Sequence, residues 1–482
     1  MSLTIILNPL ICSLLFIIPS LILLLQSFSY FISLNGKSTF NERGIVKRPL
    51  VSILVAFKNE PLELIRRFIN GISKVNWPRD KLEIIMVSDD PIDIATRINK
   101  IVKSMSEELK LQVVLLNRSE GKGGKAGALN YGLKYCRGKY VLVMDIDSVV
   151  NKEFINKAVR ILESDYNVAA VVGRWKALNK NTRIAEGLAY SMEFIVDASF
   201  RAWSKIRIPV YTLGTGTLYR KETLEELGGW CEDLLMEDLE IGIRIISKGY
   251  RIIYLDECEV YVEVPPTLYA YRIQQYKWSY GAIELLRKRI RYLLKAPIPW
   301  YGKILLTHYP LQYLSVLTTF IGVILLSLTA AVLEVDVIGY SLVSLSIWLA
   351  SLIINGIAFN HCLSTRGISK YRSLVLSGRN TGLLISQSPY ISIALIKGIF
   401  GLKIKRRVTP KGKYARQILE TYPPYELLIF IALLLFIVIL MLRGLVYTSS
   451  FIALYASSYA YALYRWHDEI LGGLWVKTFS ST

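Results

Sequence analysis

The chain has 482 residues, 52% of them hydrophobic, and its 58 lysines and arginines outnumber its 38 aspartates and glutamates to give a net charge of +20. A hydrophobic fraction this high in a chain with this many charged residues argues against a purely soluble enzyme. It indicates that the apolar residues are concentrated in membrane spans. Five cysteines with no close pair argue against a disulfide scaffold or a zinc site, and three scattered histidines argue against a histidine-based catalytic centre.

The first apolar segment, 4–25, carries no charge and continues as a mostly apolar run to residue 34. It is longer than the apolar region of a signal peptide, and it lacks a basic leader and a clear cleavage site of small residues. The segment therefore predicts a retained N-terminal membrane anchor; a cleaved signal peptide is the alternative.

Strands and helices then alternate along the chain. Apolar, β-branched runs predict strands over 50–58, 82–88, 111–116 and 139–144, and apolar residues at helical spacing predict helices over 61–73, 93–107 and 124–136. This order predicts a parallel, doubly wound α/β sheet. Ligands of such sheets bind beyond the carboxyl ends of the strands. Polar residues follow each predicted strand there: Asn59-Glu60, Asp89-Asp90, Asn117-Arg118 and Asp145 with Asp147.

The stretch VLVMDIDSVV (141–150) ends a buried strand with two aspartates, Asp145 and Asp147. Residues two apart in an extended chain face the same side, so both carboxylates can meet one ligand. Hard carboxylate oxygens suit Mg²⁺ or Mn²⁺, which in turn bridge to phosphate oxygens. The alternative is a pair of loop aspartates that cap the helix starting near Lys152.

The glycine-rich stretch GKGGKAGALNYGL (121–133) precedes a helical run. Its backbone amides and Lys125 can hold phosphates at a helix start, although the spacing is not that of a P-loop. A flexible turn is the alternative.

Further on, LLMEDLEIGIRIISKGYR (234–251) places Glu237 and Asp238 at the start of an amphipathic helix. These acids either complement the helix dipole or supply a general base.

The remaining chain is mostly membrane-associated. The basic, aromatic stretch 271–297 predicts a helix at the membrane surface, and long apolar runs predict spans over 304–333, 337–359, 425–442 and 445–464. A further run, 383–402, contains Pro389 and Lys397 and predicts an interfacial or re-entrant helix instead. The basic segment 364–416 then falls on the cytoplasmic side with residues 35–300, where it also attracts anionic lipids. Nucleic-acid binding is the weaker explanation of the basic excess.

These segments predict seven regions. They are an anchor (1–34), a cytosolic catalytic domain (35–265), an interfacial helix with the QQYKW motif (266–300), two transmembrane helices (301–362), interfacial helices with the VTPKG loop (363–424), two more transmembrane helices (425–466) and a cytosolic tail (467–482).

Seven short motifs in this order resemble the membrane-embedded glycosyltransferase family 2, which includes cellulose, hyaluronan, chitin and mannan synthases. They are SDD (88–90), GKGGKAGALN (121–130), DID (145–147), GTGTLYR (214–220), MED (236–238), QQYKW (274–278) and VTPKG (408–412). The stretch QQYKWSYGAIELLRK resembles the corresponding segment of plant glucomannan synthases. The resemblance covers about residues 48–416 and implies a GT-A-type domain and inverting transfer from a nucleotide-diphosphate sugar.

The resemblance also implies roles for single residues. On the donor side, Asp89 and Asp90 match the aspartates that hold the nucleoside, Glu60 matches the acid after the first strand, and Lys125 matches a lysine near the nucleotide. Asp145 and Asp147 match the pair that binds Mg²⁺ or Mn²⁺, with Asp145 also near the donor.

On the acceptor side, the resemblance makes Asp238 the catalytic base, with Glu237 beside it. Gln274, Gln275, Lys277 and Trp278 match a motif whose tryptophan packs on the acceptor sugar and whose basic residue faces the diphosphate. Thr409 and Lys411 match a gating-loop motif. Three positions depart from the family pattern: Lys277 replaces arginine and loses its bidentate geometry, Arg406 stands where phenylalanine is usual, and Met236 replaces threonine.

The sequence thus predicts a processive synthase of the cell membrane that takes a UDP- or GDP-hexose and extends a β-linked polysaccharide through its own spans. Transfer of one sugar to a lipid acceptor is the alternative, since such enzymes share most of the motifs. A non-catalytic scaffold or nucleotide-sugar sensor conflicts with the intact DID and MED motifs. A transporter would carry buried charges in its spans, and these spans carry almost none.

Overall fold

The computed structural model describes residues 8, 13–34, 47–118, 120–405, 409–410 and 423–479, with the side chains of 472–479 excepted. Residues 47–265 form one eight-stranded mixed sheet with helices on both faces. The strands are β1 (Val51–Phe57), β2 (Leu82–Ser88), β3 (Gln112–Asn117), β4 (Tyr140–Met144), β5 (Val149–Val150), β6 (Val168–Ala177), β7 (Thr217–Arg220) and β8 (Arg251–Val262).

The helices of this domain are α2 (Leu62–Ile72), α3 (Ile92–Leu109), α4 (Gly124–Leu133), α5 (Phe154–Ser164), α6 (Arg183–Val196), α7 (Ala202–Lys205), α8 (Lys221–Glu226) and α9 (Glu237–Ser247). A short 3₁₀ turn (Arg79–Lys81) precedes β2, and a π-helical segment (Asp197–Arg201) joins α6 to α7. All four strands and three helices predicted up to residue 144 are present, with bounds within three residues of the prediction.

The strand order is β3-β2-β1-β4-β7-β6-β8-β5. Strands β3, β2, β1 and β4 are mutually parallel, and every residue of β2 and β4 is buried, as expected for strands covered on both faces. The register sets Phe57 beside Ser88 and Ser88 beside Asn117, while Val55 pairs with Met144. The carboxyl ends of the four strands therefore meet at one edge, which confirms the doubly wound prediction.

The second half of the sheet departs from a simple parallel pattern. The short strand β7 lies between β4 and β6 and is antiparallel to both, and β5 is antiparallel to β8. Because β7 runs opposite to β4, the GTG turn that precedes it (Gly214–Gly216) lies at the carboxyl end of β4. This insertion brings a second glycine-containing turn to the predicted binding edge.

The remaining helices are α1 (Ile17–Ser33), α10 (Leu268–Lys295), α11 (Trp300–Leu311), α12 (Leu314–Leu333), α13 (Val337–Ser364), α14 (Lys370–Ser386), α15 (Ser388–Phe400), α16 (Tyr425–Leu442) and α17 (Val446–Phe479). Of the described helices, α12, α13 and α16 are long and apolar enough to cross a membrane. The bent pair α14 and α15 adds a fourth candidate, with an angle of 52° at its break.

Several membrane predictions change in detail. The apolar run 304–333 is two helices, α11 and α12, since Pro310 lies in the last turn of α11 and cannot donate a backbone hydrogen bond. Residues 4–7 and 9–12 of the predicted span 4–25 lie outside the described residues, and its later part overlaps the apolar helix α1. The predicted span 445–464 lies in α17 from Val446 onward. The 383–402 segment is divided between α14 and α15, whose bend is the geometry of a broken span or a re-entrant segment.

Candidate active site

The two predicted metal ligands lie in the turn that follows β4. The backbone N–H of Asp145 donates to Thr215 Oγ1 of the GTG turn over 3.0 Å, and Asp147 is almost fully buried. The side chain of Arg67 donates to the carbonyl oxygen of Asp147 over 3.0 Å. Bonds from two other elements thus fix the backbone of both aspartates, and Asp145 keeps a carboxylate that is 31% exposed.

Lys125 occupies the centre of the predicted site. It lies in the first turn of α4, after a turn in which Gly123 has a φ of +76°, a conformation that glycine adopts without strain. Its Nζ lies 2.7 Å from Asp145 Oδ1, 2.9 Å from the carbonyl oxygen of Gly214 and 3.8 Å from Glu237 Oε1. Burial lowers the pKa of Lys125, but the charges of Asp145 and Glu237 outweigh this effect and hold the pKa above its ordinary value.

The MED motif lies on the other side of Lys125, where α9 begins at Glu237. Asp238 lies in the first turn of α9, and its Oδ1 accepts from the backbone N–H of Leu239 over 2.9 Å. Burial raises the pKa of Glu237 to about 7, and burial raises the pKa of Asp238 as well, while the charge of Lys125 lowers both. A carboxylate in such surroundings is a stronger base than one in water.

Gly214 makes this close arrangement possible. A Cβ atom added to Gly214 would lie 3.0 Å from Lys125 Nζ and 3.1 Å from Asp238 Oδ2. Any side chain here would therefore press between the lysine and the predicted base. Neither Gly214 nor Thr215 was assigned a role from the sequence, although both lie in the GTGTLYR motif; their contribution depends on the antiparallel placement of β7.

The residues predicted to hold the nucleoside, Asp89 and Asp90, follow β2, and the acid predicted beside them, Glu60, follows β1. Asp90 is buried and accepts from the backbone N–H of Asn59 over 2.5 Å and from Ser88 Oγ over 2.7 Å. Asp89 receives two bonds from Arg118, with Nε 2.7 Å from Oδ1 and Nη2 2.5 Å from Oδ2. Glu60, half-buried, follows at the end of β1.

Arg118 is a residue whose role sequence reasoning missed. Besides Asp89, it donates to the carbonyl oxygens of Lys122 and Gly124, over 2.8 Å and 3.2 Å. It therefore joins the end of β2 to the glycine turn that carries Lys125. The sequence did place Arg118 at a strand end, but nothing in its spacing pointed to Asp89 as its partner.

The QQYKW motif lies in the first half of α10, which packs against the start of α9. A Cβ atom on Gly281 would lie only 2.9 Å from Met236 Cγ, so the absence of a side chain sets the approach of the two elements. The charge of Lys277 lowers the pKa of Glu237, which places this lysine beside the acidic cluster. Gln275 is buried, whereas Gln274, Lys277 and Trp278 are half-buried.

The structure thus brings Lys125, Asp145, Glu237 and Asp238 into one cluster, with the QQYKW helix alongside. Asp89 and Asp90 lie together at the neighbouring strand ends. Thr409 is described and half-buried, whereas Lys411 and Arg406 lie outside the described residues. The gating roles predicted for Thr409 and Lys411 stay predictions.

Comparisons with known proteins agree with this geometry. Residues 140–361 match the model of the family described as glycosyl transferase family group 2. A probable glycosyltransferase of Sulfolobus acidocaldarius is 30% identical over 464 residues, which cover 95% of this chain and 98% of that protein. Glucomannan 4-beta-mannosyltransferase 7 of Arabidopsis thaliana is 30% identical over 268 residues, and the match covers 53% of this chain and 46% of the plant enzyme.

The chain therefore spans about half the length of the plant relative. A solved structure of a mannosyltransferase from Pyrobaculum calidifontis, in complex with GDP-Man and Mn²⁺, has a similar fold. It is 20% identical and superposes with a TM-score of 0.57, over 82% of this chain and 100% of that one. From the end-to-end relationship to the Sulfolobus protein and the family match over the catalytic motifs, we conclude that the chain belongs to glycosyltransferase family 2.

Proposed function

We propose that this glycosyltransferase moves a hexose from a nucleotide-diphosphate donor to a hydroxyl of a β-linked polysaccharide, with inversion at the sugar carbon. The observation that carries the proposal is the cluster in which Lys125 faces Asp145, Glu237 and Asp238 at the carboxyl ends of the strands. This cluster supplies a basic group for the donor phosphates and a half-buried carboxylate, Asp238, for the acceptor within one site.

In this proposal Asp238 takes the proton from the acceptor hydroxyl as its oxygen attacks C1 of the donor sugar. The bond from C1 to the diphosphate oxygen breaks on the opposite face, and the nucleoside diphosphate leaves. Lys125 and Lys277 bring positive charge to the side where negative charge develops, which is ordinarily a large contribution to such catalysis. Lys277 does so as a point charge, without the fork of an arginine.

The residues after β4 fit a divalent cation, Mg²⁺ or Mn²⁺. Asp145 and Asp147 supply hard oxygen donors in one turn. The described part of the chain contains no group of three histidine, cysteine or acidic residues that could hold a metal, so these two carboxylates would need further ligands from the substrate. Two carboxylates completed by substrate phosphates are a usual arrangement for Mg²⁺. The cation would act as a Lewis acid on the leaving diphosphate.

Similarity to enzymes named mannosyltransferases supports GDP-mannose as the first donor to test. The acceptor assignment rests on the QQYKW motif and on the helices beside it. Transfer of one sugar to a lipid acceptor is the second candidate, because such enzymes share most of the motifs that form this site. In either case we place the catalytic domain on the cytoplasmic side of the cell membrane, in contact with membrane lipids.

Product size separates the two candidates. The purified protein in detergent is incubated with Mg²⁺ or Mn²⁺ and a panel of radiolabelled UDP- and GDP-hexoses. We expect high-molecular-weight label that a glycosidase releases, and no label after chelation of the metal. Label confined to a lipid extract would reject the polysaccharide and support the lipid acceptor. Absence of transfer from every donor would contradict the proposed activity itself.

A further inference from the structure

A second buried polar cluster lies among the helices that follow the sheet. It consists of Arg272 in α10, Gln387 at the break between α14 and α15, Tyr390 in α15 and Glu426 at the start of α16; we call it the α10–α16 cluster. Arg272 is 4% exposed and Glu426 is fully buried. Burying two charges is costly unless they are paired and hydrogen-bonded.

Each charged group of the cluster is hydrogen-bonded. Arg272 Nη2 donates to Glu426 Oε1, and Arg272 Nε donates to Gln387 Oε1 over 3.1 Å. Gln387 Nε2 donates to Glu426 Oε1 over 2.9 Å, and the hydroxyl of Tyr390 lies 2.7 Å from Glu426 Oε2. The guanidinium carbon of Arg272 also lies 4.2 Å from the centre of the Tyr390 ring. The pair therefore has the additional bonds that a buried ion pair needs.

The cluster ties together segments that are far apart in the sequence, and one of them is the QQYKW helix. Gln275 follows Arg272 by one helical turn, and Trp278 follows by less than two. A second acid holds the same end of α10, because Glu469 Oε2 of α17 accepts from the backbone N–H of Tyr269 over 3.1 Å. The turns that precede the motif are thus fixed by two carboxylates from two different helices.

On the C-terminal side of the QQYKW motif, α10 contacts the residue that precedes Glu237 and Asp238. Beyond the motif, Gly281 of α10 packs on Met236, the residue directly before Glu237 and Asp238. A shift of α10 would therefore change the position of Trp278 relative to Asp238. The same shift of α10 would move the predicted donor-binding residues less. Lys125, Asp145 and Asp89 are held by bonds at the edge of the sheet and by Arg118.

Resting on the proposed function, we propose that the Arg272–Glu426 pair is a positioning element that sets how the acceptor is presented to Asp238. Because both side chains are buried, the pair acts through α10 and not by contact with a substrate. A displacement of about 1 Å by a change remote from the chemistry can reduce a rate about 10²-fold. The pair therefore governs whether an activated donor is passed to the acceptor or lost to water.

Glu426→Gln tests the proposal, since it keeps the size of the side chain and removes its charge. Total donor turnover is measured as release of nucleoside diphosphate, transfer is measured as labelled acceptor, and donor affinity is measured by calorimetry. We expect an unchanged donor Kd, a raised KM for the acceptor, and a ratio of transfer to hydrolysis that falls by about 10- to 100-fold.

Glu193→Gln is the matched control. Glu193 is also buried and ion-paired, with Arg366 Nε 2.5 Å away, but this pair joins α6 to the chain after α13. If a lost buried ion pair merely reduces the folded fraction, both variants lower turnover and transfer together and keep the ratio. An unchanged ratio in Glu426→Gln, or the same fall in Glu193→Gln, overturns the proposal.

Arg272→Lys covers the case in which Glu426→Gln does not fold. Lysine keeps the charge but loses the planar fork that bonds Glu426 and Gln387 together. We expect the ratio of transfer to hydrolysis to fall, but by less than in Glu426→Gln. A ratio equal to that of the unmodified protein overturns the proposal. If the unmodified protein transfers no sugar, the proposed function itself is contradicted. This result differs from the unchanged ratio that would overturn only the positioning role of the ion pair.

Discussion

At the scale of single residues, the positive charge of Lys125 partly offsets the negative charges of the acids in the site. Lys125 contacts Asp145 directly and lowers the pKa of both Glu237 and Asp238, which burial raises. The base must be deprotonated to accept a proton from the acceptor. The charge of Lys125 therefore extends the pH range in which Asp238 can work.

This account predicts the effect of Lys125→Met on the pH profile. Without the lysine the pKa of Asp238 rises further, so a larger fraction of the base is protonated at a given acidic pH. We expect the acid limb of kcat/KM to move to higher pH, together with a loss of activity. Lys125→Arg keeps the charge and should leave the limb near its original position. An unmoved limb in Lys125→Met would show that Lys125 does not tune the base.

At the scale of elements, the close contact between α10 and the start of α9 carries the geometry of transfer. Gly281→Ala places a Cβ atom 2.9 Å from Met236 Cγ, and the two elements must separate or the methionine must move. We expect slower transfer and a lower free energy of unfolding, by about 1–3 kcal/mol as for other overpacked sites. Activity assays and thermal unfolding measure both effects.

Gly378→Ala is the control for this substitution. Gly378 is an exposed glycine in α14, and nothing lies within 4 Å of an added Cβ. Alanine there should be neutral or should stabilise by about 0.5–1 kcal/mol, because glycine is unfavourable inside a helix. Equal effects of the two substitutions would contradict the role of the α9–α10 contact.

The elements also show what the sequence could predict and why. Strands β1, β2 and β4 were predictable because they are mostly apolar runs, and their order predicts where Asp89, Asp90, Asp145 and Asp147 lie. Strand β7 has four residues and joins β4 by a long-range antiparallel pairing, which leaves no local pattern. The contribution of Gly214 and Thr215 was hidden for the same reason.

For α10, composition predicts only part of what the structure shows. Its basic and aromatic residues predict a helix at the membrane surface, and the structure adds that most residues from Leu268 to Leu286 are buried. Likewise, the predicted span 425–442 contains a buried acid near its start, Glu426, which pairs with Arg272 of α10. A partner 154 residues away cannot be read from spacing, since only the fold brings the two charges together.

At the scale of the whole molecule, the proposed orientation places the catalytic domain and the basic segment after α15 on one side of the membrane. Glu334, between α12 and α13, lies on the opposite side. In a chain freed of its five natural cysteines, we expect single cysteines at Lys134 and Lys403 to react with an impermeant thiol reagent only in inverted vesicles. A cysteine at Glu334 should react only in intact cells. The same sidedness at all three positions would contradict the orientation.

The central claim is that Asp238 is the base of a transfer from a nucleotide sugar. Asp238→Asn tests it most directly, with donor binding measured by calorimetry and transfer measured with labelled donor in the same preparation. We predict retained donor affinity and transfer reduced by about 10²–10⁴-fold, the usual contribution of a general base. Transfer at the rate of the unmodified protein would contradict the account and remove Asp238 from the mechanism.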